Sequence, residues 1–174
     1  MKRFGIAALL MFLLAAAPGT QSPYAGQQTR EIKSLDAATI QALRDGTGNG
    51  MALVGELNHY PGPRHILAMA SHLGLTNAQQ TQTEHIYARM HAAAVPLGLR
   101  IIEQERRLNR AFQDGSISNE SLRELTAQIA MVNGELRYIH LSAHLAMKHV
   151  LTSAQIGMYD SMRGYGGDMP GMQH

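Results

Sequence analysis

The longest pattern in the chain is a row of apolar residues at Leu122, Leu125, Ile129, Val132, Leu136, Ile139, Ala143, Ala146 and Val150. Successive members lie three and four residues apart without a break. That repeat lays one narrow stripe along an α-helix and calls for a partner helix running beside it. It predicts a helix over Asn119–Val150. Upstream, Ile86, Met90, Ala94, Leu97, Ile101, Leu108 and Phe112 form a matching row in a helix over Asn77–Phe112. Folding the chain back at Asp114, Gly115 and Ser116 pairs Phe112 with Leu122, Leu108 with Leu125, Ile101 with Val132 and Leu97 with Leu136. The same fold pairs Ala94 with Ile139, Met90 with Ala143 and Ile86 with Ala146. Each pair of residue numbers sums to within one of 233, as an antiparallel hairpin with a short connection requires. Pro96 and Gly98 interrupt the first helix, where an interior proline costs on the order of 3 kcal/mol. The register survives them, so the expectation is one kinked helix and a curved hairpin.

Shorter patterns flank the hairpin. Asp36–Arg44 carries Ile40 and Leu43 on one side and an acid at its start, and reads as a short helix stopped by the glycine-rich run Gly46–Gly50. Met51–Leu57 predicts a further turn or two. Pro63 then suits the first turn of a helix through Leu73, because its missing N–H has no partner there anyway. No useful length of strand-like alternation occurs. The fold class is all-α: a long antiparallel helical hairpin with short flanking helices.

Residues 1–19 stand apart from that fold. Lys2 and Arg3 precede an apolar run of 14 residues, Phe4–Ala17, which is short for a membrane span of roughly 20 and has the shape of a secretory signal peptide ending near Ala17, Pro18 and Gly19. The remaining divisions are a flexible lead-in over 20–34, one helical domain over 35–165 and a flexible Met/His tail over 166–174. An exported protein is expected. Cysteine is absent, which excludes a disulfide framework and a cysteine-linked lipid. The formal charge of +2 also changes meaning once the leader is set aside: removing Lys2 and Arg3 leaves 13 basic against 13 acidic residues. Nucleic-acid binding needs a concentrated basic field and is not expected.

The helix starts carry a repeated motif. Leu75-Thr76-Asn77-Ala78-Gln79 opens the first long helix, and Leu151-Thr152-Ser153-Ala154-Gln155 follows the second. Both read Leu-Thr-x-x-Gln. Its spacing makes a capping box, the threonine hydroxyl accepting from the backbone N–H three residues on while the glutamine reaches back to the threonine N–H. Each threonine is worth about 1 kcal/mol.

In Leu75, Thr76, Gln79, Leu151, Thr152 and Gln155, and in the hairpin between them, the chain resembles the Spy/CpxP-like periplasmic proteins over roughly Gly50–Tyr165. The resemblance implies a small helical periplasmic protein, typically a curved dimer of helical hairpins. It also implies one of three activities: an ATP-independent chaperone, a regulator of envelope-stress signalling acting on a membrane sensor protein, or a protein binding zinc, nickel or cobalt in metal resistance and sensing.

Two sets of residues bear on that choice. A second apolar stripe on the first helix, Ala88, Ala92, Val95, Leu99 and Ile102, is expected to be buried by the flanking helices and a homodimer partner. On the second helix Met131, Tyr138, Leu141 and Leu145 lie away from the hairpin seam and are candidates for holding unfolded clients, with methionine suited to promiscuous contact. Arg100 and Arg107, with Arg106 and Arg110, add electrostatic attraction; on the plainer reading they are a solvated face, with Glu103 pairing to Arg107 across one turn.

The nine histidines give the rival reading. His140, His144 and Met147 fall one turn apart in sequence, with His91 near the facing position of the hairpin. His65, Met69 and His72 form a second group, and Met169, Met172 and His174 a third. Imidazole suits zinc, nickel or copper(II) and thioether suits copper(I), but no acidic or cysteine ligand joins any group. No cofactor is required by the sequence. Enzyme chemistry is not expected, since no nucleophile motif, carboxylate pair or phosphate loop stands in a suitable context, and nothing binds a nucleotide. The sequence therefore favours a periplasmic ATP-independent chaperone for unfolded or misfolded envelope proteins, with a metal-binding resistance or sensor protein as the alternative.

Overall fold

The computed structural model describes residues 21–165, so the expected signal peptide and the Met/His tail lie outside it. These residues form a 3₁₀ turn at Gln27–Thr29 and six α-helices: α1 (Ala37–Arg44), α2 (Leu53–Glu56), α3 (Pro63–Ala68), α4 (Asn77–Gln113), α5 (Asn119–Val150) and α6 (Ser153–Met162). No strand occurs among them, and the fold is all-α.

The antiparallel pair α4 and α5 is the scaffold. Its seam is the one the apolar repeat lays down: Ala94 and Ile101 share a buried cluster with Val132 and Leu136, and Ile86 and Met90 share another with Ala143. Ile139 packs on both clusters. At the tip of the hairpin Phe112 is exposed. Hydrogen bonds from outside the hairpin reach along α4 as far as Asn109 among the described residues.

Helix α4 runs unbroken through Pro96. Gly98 has a different use from kinking: the backbone of Leu43, at the end of α1, lies so close that a Cβ on Gly98 would stand 2.0 Å from the Leu43 carbonyl oxygen. Only a residue without a side chain lets α1 dock there. The docked segment begins earlier than expected. Ile32, inside the supposed flexible lead-in, is fully buried with Leu43, Ile101 and Ile102. Its neighbours tie down on α4: the Lys33 N–H donates to Asn109, the Ser34 hydroxyl to Glu105, and Arg106 pairs with Glu31 at 3.0 Å.

That docking revises the second stripe. Ile102 is buried and Val95 half-buried by the chain's own N-terminal segment, while Ala88, Ala92 and Leu99 remain exposed. A twin subunit is not needed to cover Ile102. Helix α3 is shorter than its predicted span, because after Ala68 the chain goes through tightening turns that end with Leu75 N–H donating to the Ala70 carbonyl.

Both Leu-Thr-x-x-Gln segments form complete capping boxes, Thr76 with Gln79 and Thr152 with Gln155. The glutamines also reach across the molecule. Gln79 Nε2 donates to the Val150 carbonyl at 2.9 Å and Gln155 Nε2 to the Leu73 carbonyl at 3.3 Å. Each motif thus caps the start of its own helix and takes a carbonyl at the end of another segment.

Candidate functional site

Beside the root of the hairpin, the Gly46–Gly50 loop, α2 and the start of α3 arch over α4 and α5 and enclose a cavity of about 370 Å³. Its wall brings together Glu56 of α2, His65 of α3, Tyr87 and Met90 of α4, His140 and His144 of α5, and Arg163 and Tyr165 after α6. Two features of the Pro61-Gly62-Pro63 run let the arch close this tightly. Pro63 starts α3 as the N1 residue, and a Cβ on Gly62 would stand 2.8 Å from His144 Nε2, so the bare backbone makes room for the imidazole.

Glu56 is the electrostatic centre, with 6 % of its surface exposed. Its Oε1 accepts from the Tyr159 hydroxyl and, at 3.4 Å, from the Tyr165 hydroxyl, with His65 Nδ1 and Arg163 Nε each 3.5 Å away. Burial by itself pushes the carboxyl up; hydrogen bonds from His65 and Tyr159 and the fields of His65 and His144 outweigh it and hold the group at about 2. Burial, then the bond to Glu56, raises Tyr159, so the proton stays on the phenol.

Three polar groups around the cavity are arranged differently. His144 Nδ1 lies 2.7 Å from the Tyr60 carbonyl, which can only accept, so Nδ1 carries the proton and donates it. The same nitrogen is 3.8 Å from Glu56 Oε2, too far to hydrogen-bond. His140 is 3 % exposed, and burial, then the nearby His144, lowers its pKa and keeps the ring neutral. Glu56 Oε2 and His140 Nε2 are both buried with no hydrogen-bond partner.

A hydrogen-bonded group braces the arch from behind. His59 Nδ1 sits 2.7 Å from Asp160 Oδ2, and Lys148 Nζ donates to the His59 carbonyl at 3.1 Å while standing 5.0 Å over the Tyr60 ring. His59 adopts φ 65°, a left-handed conformation costly for a residue with a side chain. Its side chain and its carbonyl are both gripped, which offsets that cost.

The histidine groups seen in the sequence are redistributed by the fold. His140 and His144 do lie on one face, and His65 joins them from what looked like a separate group. Met147 is fully buried in the core cluster, with Met69 packed against that cluster. His91 donates from Nε2 to the Asp45 carbonyl at 3.1 Å, and His72 is exposed. Met169, Met172 and His174 lie outside the described residues. Among the described residues no three His, Asp or Glu side chains gather tightly enough to hold one metal ion. Glu56, Tyr159, Arg163 and Tyr165 were missed by sequence reasoning. The one signal for Glu56 is an acid placed inside the otherwise apolar turn Leu53-Val54-Gly55-Glu56-Leu57.

The candidate client residues lie elsewhere, on the outer side of α5. Met131, Tyr138 and Leu145 are 61 %, 68 % and 55 % exposed, and their spacing of seven stacks them on one face of the helix. That row spans about 21 Å at 1.5 Å per residue. Leu141, half-buried between them, touches α2: a Cβ on Gly55 would lie 3.5 Å from its Cδ2. The exposed Leu53, Val54 and Leu57 belong to that same α2 turn. At the other end Met131 shares a groove of about 450 Å³ with Arg100, Gln104 and Arg107. Glu103 pairs with Arg106 at 2.8 Å and Arg110 at 3.2 Å, not with Arg107. Arg100 and Arg107 thus have no ion-pair partner among the described residues. No helix of the described residues is long and apolar enough to cross a membrane. Comparison of the chain with protein-family models, with curated proteins and with solved structures finds no match to any of them.

Proposed function

We propose that the chain is an ATP-independent chaperone of the cell envelope, one that holds unfolded segments on the outer face of α5. The observation that carries the reading is the row Met131, Tyr138 and Leu145, three large apolar side chains left uncovered on one helical face. Large apolar side chains left uncovered along one helical face mark a surface for a partner. The unpaired Arg100 and Arg107 beside Met131 draw acidic segments toward it. The expected signal peptide and the repeated Leu-Thr-x-x-Gln motif support the compartment and the kinship with Spy/CpxP-like proteins. A second copy docking through Ala88, Ala92 and Leu99 would leave the α5 row open.

Each apolar side chain contributes only about 1.5–3 kcal/mol on full burial, so binding is weak, shared among several residues and reversible without a driven cycle. The test is light scattering from an unrelated unfolding protein, without nucleotide, in the presence of the mature chain. Suppression is expected, and it should weaken stepwise as Met131, Tyr138 and Leu145 are changed to serine one after another while circular dichroism holds. Absence of protection at several-fold excess, or full protection by the triple variant, would sink the reading.

A further inference from the structure

The root cavity has no part in that client surface, yet it is built like a ligand site. Its volume of about 370 Å³ lies within the ordinary range for small-molecule pockets. Glu56 and His140 are each more than nine-tenths buried, both line the cavity, and each carries a polar atom with no partner. A buried polar atom left unpaired is costly, and native folds tolerate it mostly where something else supplies the bond.

What Glu56 Oε2 lacks is a donor. The Tyr159 proton goes to Oε1 and the His144 Nδ1 proton goes to the Tyr60 carbonyl. Oε2 is thus left with no hydrogen-bond donor from the chain. An ionised carboxylate oxygen without a donor suits an ammonium group, whose N–H bonds reach acceptors about 2.7–3.2 Å away. A bare metal ion suits the arrangement less well, because it needs ligands at about 2.0–2.2 Å around one point and the His, Asp and Glu side chains are not so gathered.

The rest of the wall sets the other end of the ligand. Arg64 and Arg163 both line the cavity. Arg163 stands against Glu56 and the Tyr165 ring, whereas Arg64 has no ion-pair partner among the described residues. Two guanidinium groups against one carboxylate leave the wall net positive, which disfavours a simple cation and favours a ligand carrying its own anion. Tyr87, Met90 and Leu53 add apolar surface to the wall. We propose that the cavity binds a small zwitterion of the α-amino-acid type, with its ammonium on Glu56 Oε2 and its carboxylate on Arg64. Oε2 is closed to solvent, so binding shifts α2, a single turn of four residues.

The proposal stands apart from client binding and is tested on the full mature chain by amide NMR. The probes are L-methionine, L-leucine and L-histidine, with N-acetyl-L-methionine and L-methioninamide as blocked forms and zinc chloride as a separate arm. At least one free amino acid should shift the amides of Gly48, Gly55 and His65 in a saturable way. Blocking either the amine or the carboxylate should weaken binding about tenfold or more. Glu56→Gln should do the same. Arg64→Ala should also weaken it about tenfold, and because Arg64 is exposed this variant keeps the test open if Glu56→Gln fails to fold. The proposal is overturned if no probe shifts these amides at millimolar concentration. It is equally overturned if blocked probes bind as well as free ones, if Arg64→Ala binds normally, or if zinc alone occupies the site.

Discussion

Gln79 and Gln155 are hydrogen-bonded to each other through both side-chain amides, Nε2 to Oε1 at 2.9 Å in one direction and 3.1 Å in the other. The two copies of the Leu-Thr-x-x-Gln motif are therefore one structure, a clasp joining the starts of α4 and α6. Each glutamine also holds a distant carbonyl, at Val150 or Leu73. Gln79→Ala and Gln155→Ala should each cost about 3 kcal/mol, from about three lost hydrogen bonds and a weakened cap. The double variant should cost less than their sum, because the bonds between them are counted in both singles. Urea denaturation of the four proteins measures the coupling, and strict additivity would contradict the clasp.

Two neighbouring positions on α4 should respond to alanine with opposite signs. Gly98→Ala drives a methyl group into the Leu43 carbonyl and should destabilise by about 2–3 kcal/mol despite the better helix propensity of alanine. Pro96→Ala restores an N–H to an exposed site inside a continuous helix and should stabilise by about 1–3 kcal/mol. Thermal melts of both variants decide it; the same sign for both would be wrong.

The two ends of the second stripe are also separable. Ile102→Glu places a charge in the cluster with Ile32 and Leu43 and should cost several kcal/mol, about 3–5. Leu99→Glu changes an exposed side chain and should stay within about 0.5 kcal/mol, while splitting any dimer formed through that face. Denaturation read alongside light scattering distinguishes the two. Equal costs would mean that Leu99 is covered in solution.

Acid should loosen the arch in two stages. His140 is held neutral by burial, its folded pKa below the unfolded value of 6.5, so the stability it confers is present above that pH and drains as pH falls below it. Glu56 is held at about 2 against 4.5 when unfolded. Its contribution is therefore complete above pH 4.5 and is lost as pH falls toward 2. Glu56→Gln should lower stability at neutral pH by about 2 kcal/mol, and the gap to the unaltered chain should close across that lower window alone. Melting temperatures from pH 8 to pH 2 test the order; a gap independent of pH would contradict it.

The hairpin was legible because an unbroken three-and-four spacing admits one structure, and the helix starts because a threonine and a glutamine three apart satisfy N–H groups by local geometry. The burial of Ile32 was hidden by its charged neighbours Glu31 and Lys33, which face water on either side of it. Gly98 looked like a partner of Pro96 because its real partner, the Leu43 carbonyl, is 55 residues away in the chain. The root cavity was illegible for the same reason. His140 and His144 show their pairing within one helix, but Glu56, His65 and Tyr159 come from three other elements. Their meeting depends on tertiary packing that no local spacing encodes.

The exposed Phe112 at the hairpin tip, far from the glutamine clasp, has a consequence for motion. Root amides around Ile86 and Val150 are packed among the clasp, α3 and α6, so they should exchange with solvent only when the whole domain unfolds. Tip amides around Phe112 and Leu122 are held by the hairpin alone and exchange through local fraying at a much smaller free energy. The molecule should open from the tip first, like a pair of tongs, and hydrogen exchange should rise steadily along α4 and α5 from the motif toward Gly115.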